Sequence, residues 1–117
     1  NKKYIKDLKK IIHPLVRKEL RRFSVRNKRK TLLFFEIPLL IESKLMKNFN
    51  IIIFVNSNKA LRLKRYTKRG KNVKIFNLLD KRQLSTGKKI KFCDYVINNN
   101  RSLKNLKKNV EVIKNKL

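Results

Sequence analysis

The 117 residues include one cysteine, one histidine, two glycines, two prolines and no tryptophan. Each scarcity removes a class of chemistry. Cys93 alone cannot build a disulfide framework or a Cys-cluster zinc site. His13 is the sole imidazole, so any Ser-His-Asp or Cys-His nucleophile would depend on it. The two glycines, Gly70 and Gly87, leave no room in these residues for a phosphate-cradling G-x-x-x-x-G-K-[ST] loop. No run of about 18 apolar residues occurs, which excludes a transmembrane helix. No charged start leads into an apolar stretch, so no signal peptide is expected. The first residue is Asn1 rather than Met, which is expected of a piece of a longer chain or of a processed one.

Acidic residues are also scarce. Seven Asp and Glu face 34 Lys and Arg, for a net charge of +27. Such an excess suits a polyanionic partner, because clustered cations release counterions from phosphates. Coding bias is the bland explanation and the favoured one: 24 Lys, 14 Asn and 12 Ile are what an AT-rich sequence favours. The cations are spread along the chain, and the densest run is Arg17 to Lys30. Apolar residues make up 41% of the chain, enough for a folded core and against wholesale disorder. The length fits one domain or part of one.

Apolar periodicity orders the chain. Ile5, Leu8, Ile11 and Ile12 are spaced as on a helix over residues 3–12. Pro14 is expected to break that helix or to open the next, whose face continues through Leu15, Val16, Leu20 and Phe23. Asn27 to Lys30 reads as a basic connection. Thr31 to Ile37 and Ile51 to Val55 read as buried strands, and Asp94 to Ile97 as a third. Asn56, Ser57 and Asn58 suit a turn and helix cap. A basic helix is expected from about Lys59 to Arg69 with Gly70 at its C-terminus, then one ending near Gln83. Ser85 to Phe92 suits a short helix. Ser102 can cap a last helix with Leu103, Leu106, Val110, Ile113 and Leu117 on one face. Strands alternating with helices imply a parallel α/β sheet, and three strands make a thin one.

Open parallel sheets bind ligands beyond the carboxyl ends of their strands. Those ends carry Glu36 to Glu42, Asn56 to Asn58 and Asn98 to Asn100. Glu36 and Glu42 are conspicuous in an acid-poor chain; a strand-end ion pair is the bland explanation for Glu36. Arg62, Arg65 and Arg69 share one helix face. They read either as a solvated basic face or as a clamp for a nucleotide triphosphate, where guanidinium forks match phosphate oxygens. His13 beside Pro14 suits a packed structural histidine, and Cys93 a small hydrophobe.

Four segments in order resemble the dephospho-CoA kinase family. They are Ile-Ile-His13-Pro14-Leu-Val, then Phe35-Glu-Ile-Pro38-Leu39-Leu40-Ile-Glu42, then Ile51 to Val55 with the arginines through Arg69-Gly70, and then Gln83 with Cys93-Asp94-Tyr-Val-Ile-Asn98-Asn99. The resemblance covers essentially the whole chain. It implies a P-loop kinase-type three-layer α/β/α parallel sheet with helical CoA-domain and lid insertions, truncated at the N-terminus. Residues 3–30 would belong to the helical substrate domain, 31–58 to core strands, 59–92 to the lid region and 93–117 to the last strand and helix. The implied reaction is ATP-dependent phosphorylation of the 3′-hydroxyl of dephospho-CoA, with Mg²⁺, in the cytoplasm. Arg65 and Arg69 in the lid and Asn99 near the adenine would serve ATP, with His13 and Glu42 on the acceptor side. Cys93, Asn98 and Arg101 stand where the family usually has Ala, Asp and Gly. The P-loop and the Asp-x-Asp segment with the base are expected upstream, so these residues alone are expected to be inactive and poorly soluble. No nucleic-acid or membrane partner is expected. The competing readings are another P-loop nucleotide kinase, or a basic nucleic-acid-binding domain.

Overall fold

A computed structural model describes residues 2–117. The chain divides into two compact units, Asn1–Glu36 and Ile37–Leu117. Among the described residues, no helix is long and apolar enough to cross a membrane.

The first unit is built on one helix, α1 (Lys2–Arg26), with Pro14 inside it. The expected break at Pro14 is not there. A mid-helix proline removes one N–H and crowds the preceding turn, at about 3 kcal/mol. The flanking residues, Lys9 to His13 and Leu15 to Leu20, include no glycine and no second proline, so the local preference for helix continues on both sides. Val16 and Leu20 are half-buried, whereas Leu15 and Phe23 remain exposed. Asn27 closes the helix: its backbone N–H and its Nδ2 both donate to the Phe23 carbonyl, at 3.1 and 2.9 Å. Phe23 also meets Phe35 edge-on, with ring centroids 5.3 Å apart.

The expected strand over Thr31 to Ile37 does not form. The run is apolar enough, but a strand exists only when a neighbour completes its hydrogen-bond ladder. No such pairing is seen among the described residues, and Leu32 and Phe34 stay exposed.

The second unit holds a two-stranded parallel sheet, β1 (Ile53–Asn56) and β2 (Tyr95–Asn98), in the register Ile53 to Tyr95 through Asn56 to Asn98. β1 begins two residues later than the Ile-rich run suggested. The Asp94 carboxylate explains the shift: its Oδ2 accepts from the Ile52 N–H at 2.7 Å, replacing a strand partner. Between the strands run α2 (Lys59–Lys68), α3 (Val73–Lys81) and α4 (Thr86–Ile90), and α5 (Leu103–Lys114) follows β2. Each has a side-chain cap at its start, from Asn58, Asn72, Ser85 and Ser102 respectively. Gly70, at φ 72°, ends α2 in a Schellman arrangement: its N–H donates to Thr67 O, and that of Lys71 to Tyr66 O. α4 packs on β1, α5 on β2, and α2 on α3.

The core of this unit is small. Ile41, Leu45, Phe76, Ile97 and Ile113 are buried, while Leu78, Leu103 and Val55 lie open. Of the expected α5 face, Ile113 is buried and Leu106 half-buried, but Leu103 and Val110 face solvent.

Candidate functional site

The parallel strands end side by side, and their last residues are wired together. The Asn99 N–H donates to Asn56 O at 2.7 Å, and Asn56 Nδ2 donates to Asn98 Oδ1 at 3.1 Å. The Asn58 N–H donates to Asn100 Oδ1 at 2.8 Å. Arg65 reaches across from α2: its guanidinium donates to Asn99 O at 2.9 Å and to Ser57 Oγ at 3.3 Å. The structure therefore brings Arg65 and Asn99 together. Asn109 on α5 adds a bond from Nδ2 to Asn98 O at 3.0 Å.

Beside this junction is a cleft of about 420 Å³ lined by Asn98, Asn100, Arg101, Asn105 and Asn109. Amide side chains present both donors and acceptors, so they suit the polar edges of a base or sugar, and Arg101 adds a fixed positive charge. Asn105 and Asn109 were not expected here. Their helical spacing of four puts them on one side of α5, but only the strand pairing turns that side toward Asn98.

The three arginines of α2 and its C-terminus part company. Arg62 donates from Nε to Ser57 O at 3.1 Å and pairs with Asp80 at 2.6 Å, stacking within 5.7 Å of the Phe76 ring. Lys59 lies 3.3 Å from the other Asp80 oxygen. The Arg62 guanidinium, hydrogen-bonded to Asp80, holds its carboxyl below the usual carboxylate range, against the opposing pull of burial, with Lys59 assisting. Arg69 is the C-cap of α2 and is exposed, with its guanidinium in none of the described hydrogen bonds or ion pairs.

Glu42 lies in the turn that follows Pro38. Leu39 and Lys44, on either side of it, adopt the left-handed region at φ 54° and 58°, at a cost of about 1 kcal/mol or more each. Ile41 and Leu45 are buried and anchor the turn. Glu42 Oε2 is out of solvent and makes no hydrogen bond; Lys89 Nζ stands 3.6 Å away. Lys89 donates to Gln83 Oε1 at 2.7 Å and lies 5.3 Å from the Phe54 ring centroid. Nothing in the sequence separates Lys89 from its exposed neighbours Lys88 and Lys91. Only the packing of α4 on β1 buries it.

His13 is half-buried on α1, in the first unit, and Glu36 is exposed. Cys93 is half-buried, its Sγ donating to Lys89 O at 3.1 Å. Burial pushes its thiol up, the Asp94 charge adds to this, and Lys89 opposes it. Among the described residues no three His, Cys, Asp or Glu side chains are grouped to hold a metal ion.

Known proteins align along this same stretch. The sequence profile of the family described as Dephospho-CoA kinase matches residues 1–105. A dephospho-CoA kinase of Rickettsia bellii is 34% identical over 88% of this chain and 54% of its own length. The one from Bartonella quintana is 32% identical over 97% of this chain and 60% of its own. The one from Fusobacterium nucleatum is 37% identical over 95% and 58%. The chain thus spans a little over half the length of these curated relatives. A profile match from the first residue to residue 105 places this chain in the dephospho-CoA kinase family.

Proposed function

We propose that this chain serves the ATP-dependent phosphorylation of dephospho-CoA. The observation that carries the reading is the family match over residues 1–105. In the reaction, the ribose 3′-hydroxyl oxygen bonds to the γ-phosphorus of ATP. The bond from that phosphorus to the β,γ-bridging oxygen breaks, ADP leaves, and the hydroxyl proton is released. In this reading the chain forms part of a three-layer α/β/α sheet with helical and lid insertions, and residues 59–92 form the lid.

Roles follow from position. Asn99 and the amide-lined cleft take the adenosine side of the nucleotide. Arg65 braces the Asn99 loop through its backbone carbonyl. Arg69, with a free guanidinium at the end of α2, is suited to meet phosphate oxygens as negative charge spreads over them. Glu42 serves the acceptor in the second unit, and the resemblance assigns His13 of the first unit to the acceptor as well. Mg²⁺ would neutralise the triphosphate. The described residues do not group into a metal cage, so no step is assigned to a protein-held ion.

The test is turnover by the protein expressed from its full reading frame, with ATP and dephospho-CoA. Phosphorylation of dephospho-CoA, with nucleoside monophosphates left unmodified, is the expected result. The reverse preference would make it another nucleotide kinase. Salt-sensitive binding of RNA with no turnover at all would return the +27 charge to a nucleic-acid role.

A further inference from the structure

Lys89 is out of place for a lysine. The chain carries 34 Lys and Arg, and among the described residues Lys89 is the polar residue found buried, with its side chain 10% exposed. Withdrawing an ammonium from water is costly, and an apolar side chain of similar volume commonly fills such a site at no loss of stability. The position therefore calls for the charge itself. Each group around Lys89 accounts for part of it. Gln83 Oε1 accepts its one short hydrogen bond, at 2.7 Å, and the Phe54 ring faces it at 5.3 Å. Glu42 Oε2, at 3.6 Å, is too far for a good hydrogen bond but close enough to feel the charge.

Glu42 is held as deliberately. Its side chain is 13% exposed, and its turn is fixed by left-handed residues on both sides, Leu39 and Lys44. Oε2 lies beneath the surface, so the exposure that remains belongs to other atoms of the side chain. A carboxylate with one oxygen buried beside a lysine, without a hydrogen bond, and a side chain that keeps some exposure is suited to accept a hydrogen bond from an arriving ligand. Gln83 and Phe54 fix the lysine that anchors it.

We propose that Lys89 is a positioning residue for Glu42, holding its carboxylate in place to receive the acceptor substrate. This rests on the reading of Glu42 as an acceptor-side group of the kinase. The charge, not the bulk, of Lys89 is what matters, and it acts through Glu42 alone.

The experiment is a double-mutant cycle on the protein expressed from its full reading frame, with steady-state kinetics for each substrate. Lys89→Met keeps the volume and removes the charge. It is expected to raise KM for dephospho-CoA about tenfold and to leave KM for ATP within about twofold. Lys89→Arg is expected to recover most of that loss. Glu42→Gln with Lys89→Met is expected to be no worse than Glu42→Gln alone, since one residue works through the other. Should Lys89→Met fail to fold, Gln83→Leu, at an exposed position, removes the lysine's short hydrogen bond and is expected to raise the same KM by a smaller factor. A folded Lys89→Met protein with unchanged KM for dephospho-CoA overturns the inference. So do equal losses for both substrates, losses that multiply in the double variant, or an indifferent Gln83→Leu. A parent protein that turns over no dephospho-CoA overturns the kinase reading, and this inference with it. A parent that does, beside an indifferent variant, overturns this inference alone.

Discussion

Arg65 on α2 donates to the backbone carbonyl of Asn99, 34 residues away, at 2.9 Å. The same nitrogen reaches Ser57 Oγ at 3.3 Å, so one guanidinium joins the ends of both strands. A long-range bond to a partly buried carbonyl holds the strand ends together beside the cleft. Arg65→Ala leaves that carbonyl without its charged donor and is expected to cost about 1–2 kcal/mol of stability. Urea denaturation of the parent and variant checks it. A loss of only a few tenths would mean that water replaces the guanidinium at no cost.

Asp80 offers a test by pH. Its carboxyl, hydrogen-bonded by Arg62, sits below the usual carboxylate range in the folded protein. The folded state therefore binds that proton less readily than the unfolded chain does. The stabilisation is complete above the unfolded carboxylate value of about 3.9 and is lost as pH falls through the lower, folded value. Arg62 is 34% exposed and Asp80 18%, so solvent screening limits the effect. Asp80→Asn is expected to cost about 1 kcal/mol at pH 7. The gap between parent and variant should close as the pH is lowered below about 4. Thermal midpoints measured along a pH series decide it.

Gly70 tests the end of α2. At φ 72° a side chain is strained, although a Cβ there meets nothing within 4 Å. Gly70→Ala is expected to destabilise by about 1 kcal/mol, from backbone strain alone. Gly70→Asn, which tolerates this region better, is expected to lose less. Thermal melts of both variants show whether the order holds.

Cys93 is expected to be a slow thiol. Burial and the Asp94 charge keep it protonated against the pull of Lys89. Alkylation by iodoacetamide at pH 7 is expected to run slower than for a free cysteine, and to reach the free rate in denaturant. Rapid labelling of the native protein would contradict this.

What the sequence determined by itself was local. Asn58 and Ser102 cap the helices they precede, because a short polar side chain at a helix start satisfies the first free N–H groups wherever it occurs. Gly70 closes α2 for the same kind of reason, and the Ile-rich run and Asp-Tyr-Val-Ile mark β1 and β2 to within two residues. The four ordered segments were enough to suggest the family that the profile match bears out. What failed at Thr31 to Ile37 depends on a partner distant in sequence: the run has the composition of a strand but not the ladder. Pro14 failed for a local reason, since the helix-forming residues on both sides outweigh a single breaker. The tertiary structure alone decided that Arg65 faces Asn99, that Asp80 takes Arg62, and that Lys89, among so many lysines, is the one beside Glu42. Charge and hydrogen-bonding capacity are written in the side chain; burial and partner are properties of the packing around it.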